Sequence, residues 1–147
     1  MKIIGGNYRD ETRIVHMLQA LERLELESAG VATVDELSSN DQLSRAIMYD
    51  FIVLGEAANN VTDAYCASHP EVPWQDVSGF RHKLVHDYSG IDFGILFDAP
   101  KNDVPKLLSM VGGLVAELPP NHLLRPTWQI LNDFNPKTEM KGSLTTQ

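Results

Sequence analysis

Asn40–His69, NDQLSRAIMYDFIVLGEAANNVTDAYCASH, is the stretch on which the fold turns. Its apolar residues, among them Leu43, Ile47, Phe51, Leu54, Ala58, Val61 and Tyr65, recur at intervals of three and four. That spacing lines one face of an α-helix. Ser38, Ser39, Asn40 and Asp41 supply side chains that cap a helix start, and Pro70 cannot continue one. The spacing predicts one long helix from Asn40 to His69. Within it Gly55–Asn60, GEAANN, is small and polar where the rest suits core packing. Small residues there allow another helix to approach closely.

The same period extends to either side. Arg9–Ser28 carries Ile14, Met17, Leu18, Leu21 and Leu24 at helical spacing, with Arg13, Glu22, Arg23 and Glu25 largely off the stripe. Gly30 is a plausible stop, and a turn region follows. After Pro70, Pro73 and Trp74 form a corner, and a third helix is expected over Gln75–Tyr88 with Val77, Phe80, Leu84 and Tyr88 on its buried side. Ser89, Gly90 and Ile91–Phe97 read as a loop or short helical turn. A last helix begins near Asn102 or Asp103, with Val104, Leu107, Val111, Leu114 and Leu118 on its stripe, and ends at Pro119–Pro120. No segment alternates with a period of two. The expectation is an all-α protein, an antiparallel bundle of four to five helices. A helical domain would cover residues 1–120. A C-terminal tail, residues 121–147, contains Trp128, Ile130, Leu131 and Phe134 and reads as a surface-packed arm with a polar end; a segment that docks a partner is the other reading.

A chain of 147 residues with 43% hydrophobic content suits one core. No apolar run is long enough to span a bilayer, and Met1–Asp10 lacks a charged segment followed by an apolar one, so neither membrane insertion nor secretion is expected. Cys66 is the single cysteine, which excludes an intrachain disulfide and fits a reducing, cytoplasmic setting. The net charge of −8 opposes broad binding to a phosphate backbone. Basic groups gather once, at Arg81, His82, Lys83 and His86, so any contact with a nucleic acid should be short.

That island lies in Arg81–Tyr88, RHKLVHDY. On a continuous helix Arg81 falls beside Val77, Phe80 and Leu84, where a guanidinium needs an anionic partner or a ligand. Glu56 is the internal candidate, and a buried Arg81–Glu56 ion pair is one reading. The other is catalytic. A histidine moves protons near neutral pH, an arginine holds a phosphate and the charge that builds on it, and RNA carries its own nucleophile in the 2′-hydroxyl. Arg81 and His86 would stand about 140° apart on one ideal helix, which favours a site completed by a second copy of the chain. His82 and His86 share a face, but two histidines alone make a weak metal site, and a solvated pair is the simpler account.

Arg81, four residues, His86, one residue and Tyr88 resembles the R-x4-H-x-Y signature of HepT-like toxins of the HEPN superfamily. The surroundings are similar as well: Tyr8–Arg9–Asp10, Leu54–Gly55–Glu56–Ala57–Ala58–Asn59, Val72–Pro73–Trp74 and Gly79–Phe80–Arg81 occur in the family's order, and the likeness covers roughly Tyr8–Leu118. The resemblance implies a helical homodimer that cleaves RNA, transfer RNA among the candidates, as a nuclease (a hydrolase) needing no cofactor or metal. It implies Arg81 and His86 as the catalytic pair, with His82, Glu56 and Asn60 in support. It also implies a toxin–antitoxin system whose antitoxin, a minimal MNT-type nucleotidyltransferase, neutralises the toxin by AMPylation of Tyr88. The acidic charge leaves a second reading, a non-catalytic helical dimer that binds a nucleotide or the nucleotidyltransferase itself.

Overall fold

A computed structural model describes residues 6–86 and 90–118, with side chains from Asp10 onward and excluding that of His86. The proposed tail, residues 121–147, and Tyr88 lie outside the described residues. Among these, the chain is all-α apart from one pair of two-residue strands. In order it forms α1 (Gly6–Ser28), α2 (Val34–Ser39), α3 (Asp41–Asn59), α4 (Asp63–Ser68), α5 (Trp74–Gly79), α6 (Arg81–Leu84), β1 (Val85–His86), β2 (Gly90–Ile91), α7 (Phe93–Asn102) and α8 (Val104–Ala116). The four longest are α1, α3, α7 and α8, and α4, α5 and α6 result from breaks in stretches whose periodicity suggests continuity.

The apolar stripes form a shared core. Ile14, Met17, Leu21 and Leu24 of α1 are fully buried, against Ile47 of α3, Leu96 of α7 and Val104 and Val111 of α8. α1 packs chiefly on α3 and α8, and α5 packs on α3. Lys101 fastens the end of α1: its Nζ donates to the Ser28 carbonyl at 3.3 Å, which also accepts the Val31 N–H, and to the Val31 carbonyl just beyond the helix at 2.8 Å.

Asn40 caps α3 as its sequence suggests, its Oδ1 accepting the Leu43 N–H at 3.0 Å. The expected turn before it contains a short helix, α2, because Thr33 caps it by accepting the Glu36 N–H at 3.1 Å. The helix expected to run to His69 stops at Asn59. There the buried Asp10 of α1 takes both the Thr62 N–H (2.8 Å) and the Thr62 hydroxyl (2.7 Å), and Thr62 in turn caps α4. A carboxylate from far along the chain thus takes the N–H that helix continuation would have used, and the hydroxyl beside it. α4 ends before Pro70, and the corner beyond it is built from aromatic contacts. Trp74 Nε1 donates to the His69 carbonyl at 2.9 Å, and Tyr65 stacks on His69 and meets Trp74 edge-on.

The expected helix over Gln75–Tyr88 is also broken. α5 ends at Gly79, α6 is a single turn, and Val85 is already extended (φ −119°, ψ 120°). β1 then pairs antiparallel with β2, Val85 opposite Ile91 and His86 opposite Gly90. Gly90 has φ 138°, a backbone region that costs other residues strain. The segment read as a loop or short turn is instead α7, capped by Asp92, whose Oδ1 accepts the Ile95 N–H at 3.1 Å. α7 accommodates Pro100 near its C-terminal end and leads directly into α8.

Candidate functional site

Gly55 is where α5 comes close to α3. A Cβ built there would lie 3.3 Å from the Val77 carbonyl oxygen and 3.4 Å from that of Ser78. This close approach brings the start of α6 beside the last turn of α3. Between them is an open pocket of about 160 Å³. Its polar wall is Glu56 and Asn59 of α3, Ser78 of α5, and Arg81 and His82 of α6, with Phe51 beneath. The volume equals roughly five waters, room for a phosphate group.

Arg81 does not sit on a buried face. The break at Gly79–Phe80 shifts the helical phase, so that Leu84 is fully buried while Arg81, His82 and Lys83 are exposed. Nor do Arg81 and Glu56 form the ion pair considered from the sequence. Both line the pocket, yet among the described residues the ion pairs are Arg23–Asp50 at 2.7 Å and Arg45–Asp41 at 2.8 Å. Among the described residues the guanidinium thus has no carboxylate partner, and a planar fork of this kind grips a phosphate through two parallel hydrogen bonds.

His82 lies in the pocket. The backbone of His86 lies two residues beyond α6 in β1, so the 140° separation expected of one continuous helix does not apply. Asn60, expected in support, does not line the pocket. The chain leaves the helix at that residue, and Asn60 closes α3 instead: its N–H bonds carbonyls of the last turn and its Nδ2 donates to the Glu56 carbonyl at 2.8 Å. Asn59 occupies the wall. Its signal was its position three residues after Glu56, on the same face of α3. Ser78 carried no such signal, because its place depends on how α5 packs. Among the described residues no group of three or more His, Cys, Asp or Glu gathers as a metal site, and no helix is long and apolar enough to cross a membrane.

A family model described as Ribonuclease HepT-like matches residues 17–112, which include the whole pocket. A protein of Caldanaerobacter subterraneus subsp. tengcongensis, named as a candidate RNase, is 29% identical over 96 residues, covering 65% of this chain and 85% of that protein. A protein of Methanocaldococcus jannaschii, also named as a candidate RNase, is 29% identical over 86 residues, 58% of this chain and 71% of its own. A Thermococcus cleftensis protein named probable ribonuclease HepT is 36% identical over 62 residues, 42% of this chain and 56% of its own. No solved structure matches the chain. With the pocket inside the matched span, the chain belongs to the Ribonuclease HepT-like family.

Proposed function

We propose that this chain is a metal-independent endoribonuclease and the toxin of a toxin–antitoxin pair. The observation that supports this most directly is the exposed Arg81 guanidinium, outside any ion pair among the described residues, in a phosphate-sized pocket with His82, Glu56 and Asn59. In the reaction, Arg81 binds the scissile phosphate. His86 takes the proton of the adjacent 2′-hydroxyl, whose oxygen then attacks phosphorus. The bond to the 5′-oxygen breaks, that oxygen acquires a proton from His82 or water, and a 2′,3′-cyclic phosphate remains. Charge on the non-bridging oxygens peaks in the transition state, where the guanidinium acts most strongly. No protein nucleophile is needed, because RNA supplies its own.

The working form is a homodimer, two copies joining their Arg81 faces in one cleft. With a net charge of −8, the protein holds only a short length of RNA, such as a loop of a transfer RNA. Its antitoxin is a nucleotidyltransferase that transfers AMP to Tyr88. The adenylyl group adds bulk and negative charge two residues from His86 and opposes RNA binding.

The test is cleavage of total RNA at low salt with chelator, by the wild type and by Arg81→Ala and His86→Ala. Each substitution should lower the rate at least about 100-fold, with products ending in cyclic phosphate. Cleavage by both variants at the wild-type rate would overturn the proposal. Stable RNA or nucleotidyltransferase binding without turnover would favour the second reading, a non-catalytic helical dimer. Mass spectrometry of the Tyr88 peptide after co-expression with the nucleotidyltransferase tests the modification separately.

A further inference from the structure

A second cavity, of about 250 Å³, also borders Phe51. Its floor is apolar and buried, formed by Leu54, Val77, Ala99 and Leu107, with Phe51 and Phe80 as one wall. Those two rings meet at 4.9 Å with a tilt of 50°. Its rim is charged and exposed: Asp76 of α5, Lys83 of α6, and Asp103 and Lys106 at the start of α8. Of these residues only Phe51 also lines the phosphate pocket.

We propose that this cavity is a nucleobase subsite, which receives the base of a nucleotide whose phosphate is held at Arg81. The inference rests on the nuclease reading and extends it to base recognition. Three features carry it. A nucleobase has flat apolar faces and a polar edge, and the cavity pairs an apolar interior containing two phenyl rings with a rim of carboxylates and ammonium groups. The volume equals roughly eight waters, suited to one heterocycle and not to a larger ligand. Four consecutive residues also divide between the two pockets: Phe80 and Lys83 line the cavity, while Arg81 and His82 line the phosphate site. The two pockets therefore flank the same helical turn, a separation that the phosphate and base of one nucleotide can span.

The rim also suggests which bases fit. The carboxylates of Asp76 and Asp103 accept hydrogen bonds and cannot donate them. They match the exocyclic amino groups of adenine, cytosine and guanine, which uracil lacks.

The test uses the full chain with isotope-labelled Ala, Leu, Val and Met methyl groups, titrated with AMP, UMP and ribose 5-phosphate and followed by NMR. AMP should shift the methyls of Leu54, Ala99, Leu107 and Met110, UMP should do so more weakly, and ribose 5-phosphate should leave them in place. Asp76→Ala, at an exposed position, should weaken AMP binding about tenfold, and Ala99→Leu should fill the floor and abolish the AMP shifts. Methyls that do not respond to AMP, or respond equally to ribose 5-phosphate, overturn the proposal. So does a response only to a second protein, which would make the cavity a receptor for an apolar side chain. The RNA assay separates this result from the nuclease reading. Cleavage with unresponsive methyls rejects the base subsite alone, whereas AMP-responsive methyls without cleavage reject the nuclease assignment alone.

Discussion

Gly55 gives the sharpest test of how the site is built, because its missing side chain sets the distance between α3 and α5. Replacing it with alanine gains about 1 kcal/mol of helix propensity. The new Cβ meets backbone oxygens of Val77 and Ser78 at 3.3 and 3.4 Å, so α5 must yield by a few tenths of an ångström. The two effects are of similar size, and Gly55→Ala should stay within about 1 kcal/mol of wild type. Valine adds two γ-methyls to a contact already at its limit. Overpacking of this kind costs about 1–3 kcal/mol, and β-branching in a helix costs several tenths more. Gly55→Val should therefore fall about 2 kcal/mol below Gly55→Ala, or about 6 °C in melting temperature for a domain of this size. Urea unfolding followed by circular dichroism at 222 nm measures both variants. The carbonyls that must move lie three and four residues before Arg81, so RNA cleavage by Gly55→Val should also fall well below its melting temperature. Equal stability of the two variants would refute the close approach of α5 and with it the account of how Arg81 is positioned.

Asp10→Ala should cost about 2–4 kcal/mol in urea unfolding, because it removes both bonds to Thr62 and leaves the Thr62 N–H unpaired; a loss under half a kcal/mol would mean that Asp10 does not hold the α3–α4 junction. Leu84→Ala removes a fully buried side chain and should cost about 2–5 kcal/mol, and an unchanged denaturation midpoint would contradict the burial of α6's inner face. Glu27 responds to pH. Burial, followed by the neighbouring Asp50 carboxylate, raises its pKa from 4.5 to about 8. A raised folded-state pKa contributes stability below about pH 4.5, and that contribution is lost as pH rises through about 8. Melting temperature should thus decline across this window in the wild type and less steeply in Glu27→Gln, which keeps a neutral partner for Asp50; parallel slopes would contradict the assignment.

Much of the fold is local and was legible in the chain. The three-and-four spacing of Ile14–Leu24 and Val104–Leu114 specifies helices α1 and α8 and their buried faces, because helical period is a property of neighbouring residues. The Asn40 cap and the close approach at Gly55 were legible for the same reason. The family resemblance implied Arg81 and His86 as the pair, with His82 and Glu56 in support; Arg81, His82 and Glu56 line one pocket, while the side chain of His86 lies outside the described residues.

The breaks were decided elsewhere. α3 ends at Asn59 because Asp10, 52 residues away, claims the donors of Thr62, and no window of local sequence contains both partners. That break turns Asn60 into a cap and leaves Asn59 facing the pocket. The interruption after Gly79 likewise turns Arg81 outward while Leu84 stays buried. Sequence by itself determined most of the helical segments and the candidates Arg81, His82 and Glu56 that meet in one pocket. Tertiary structure decided where α3 stops, because a helix end is set by whatever satisfies its last polar groups, and there that partner is distant in sequence; the packing of α5 on α3 at Gly55 brings Arg81 to the pocket.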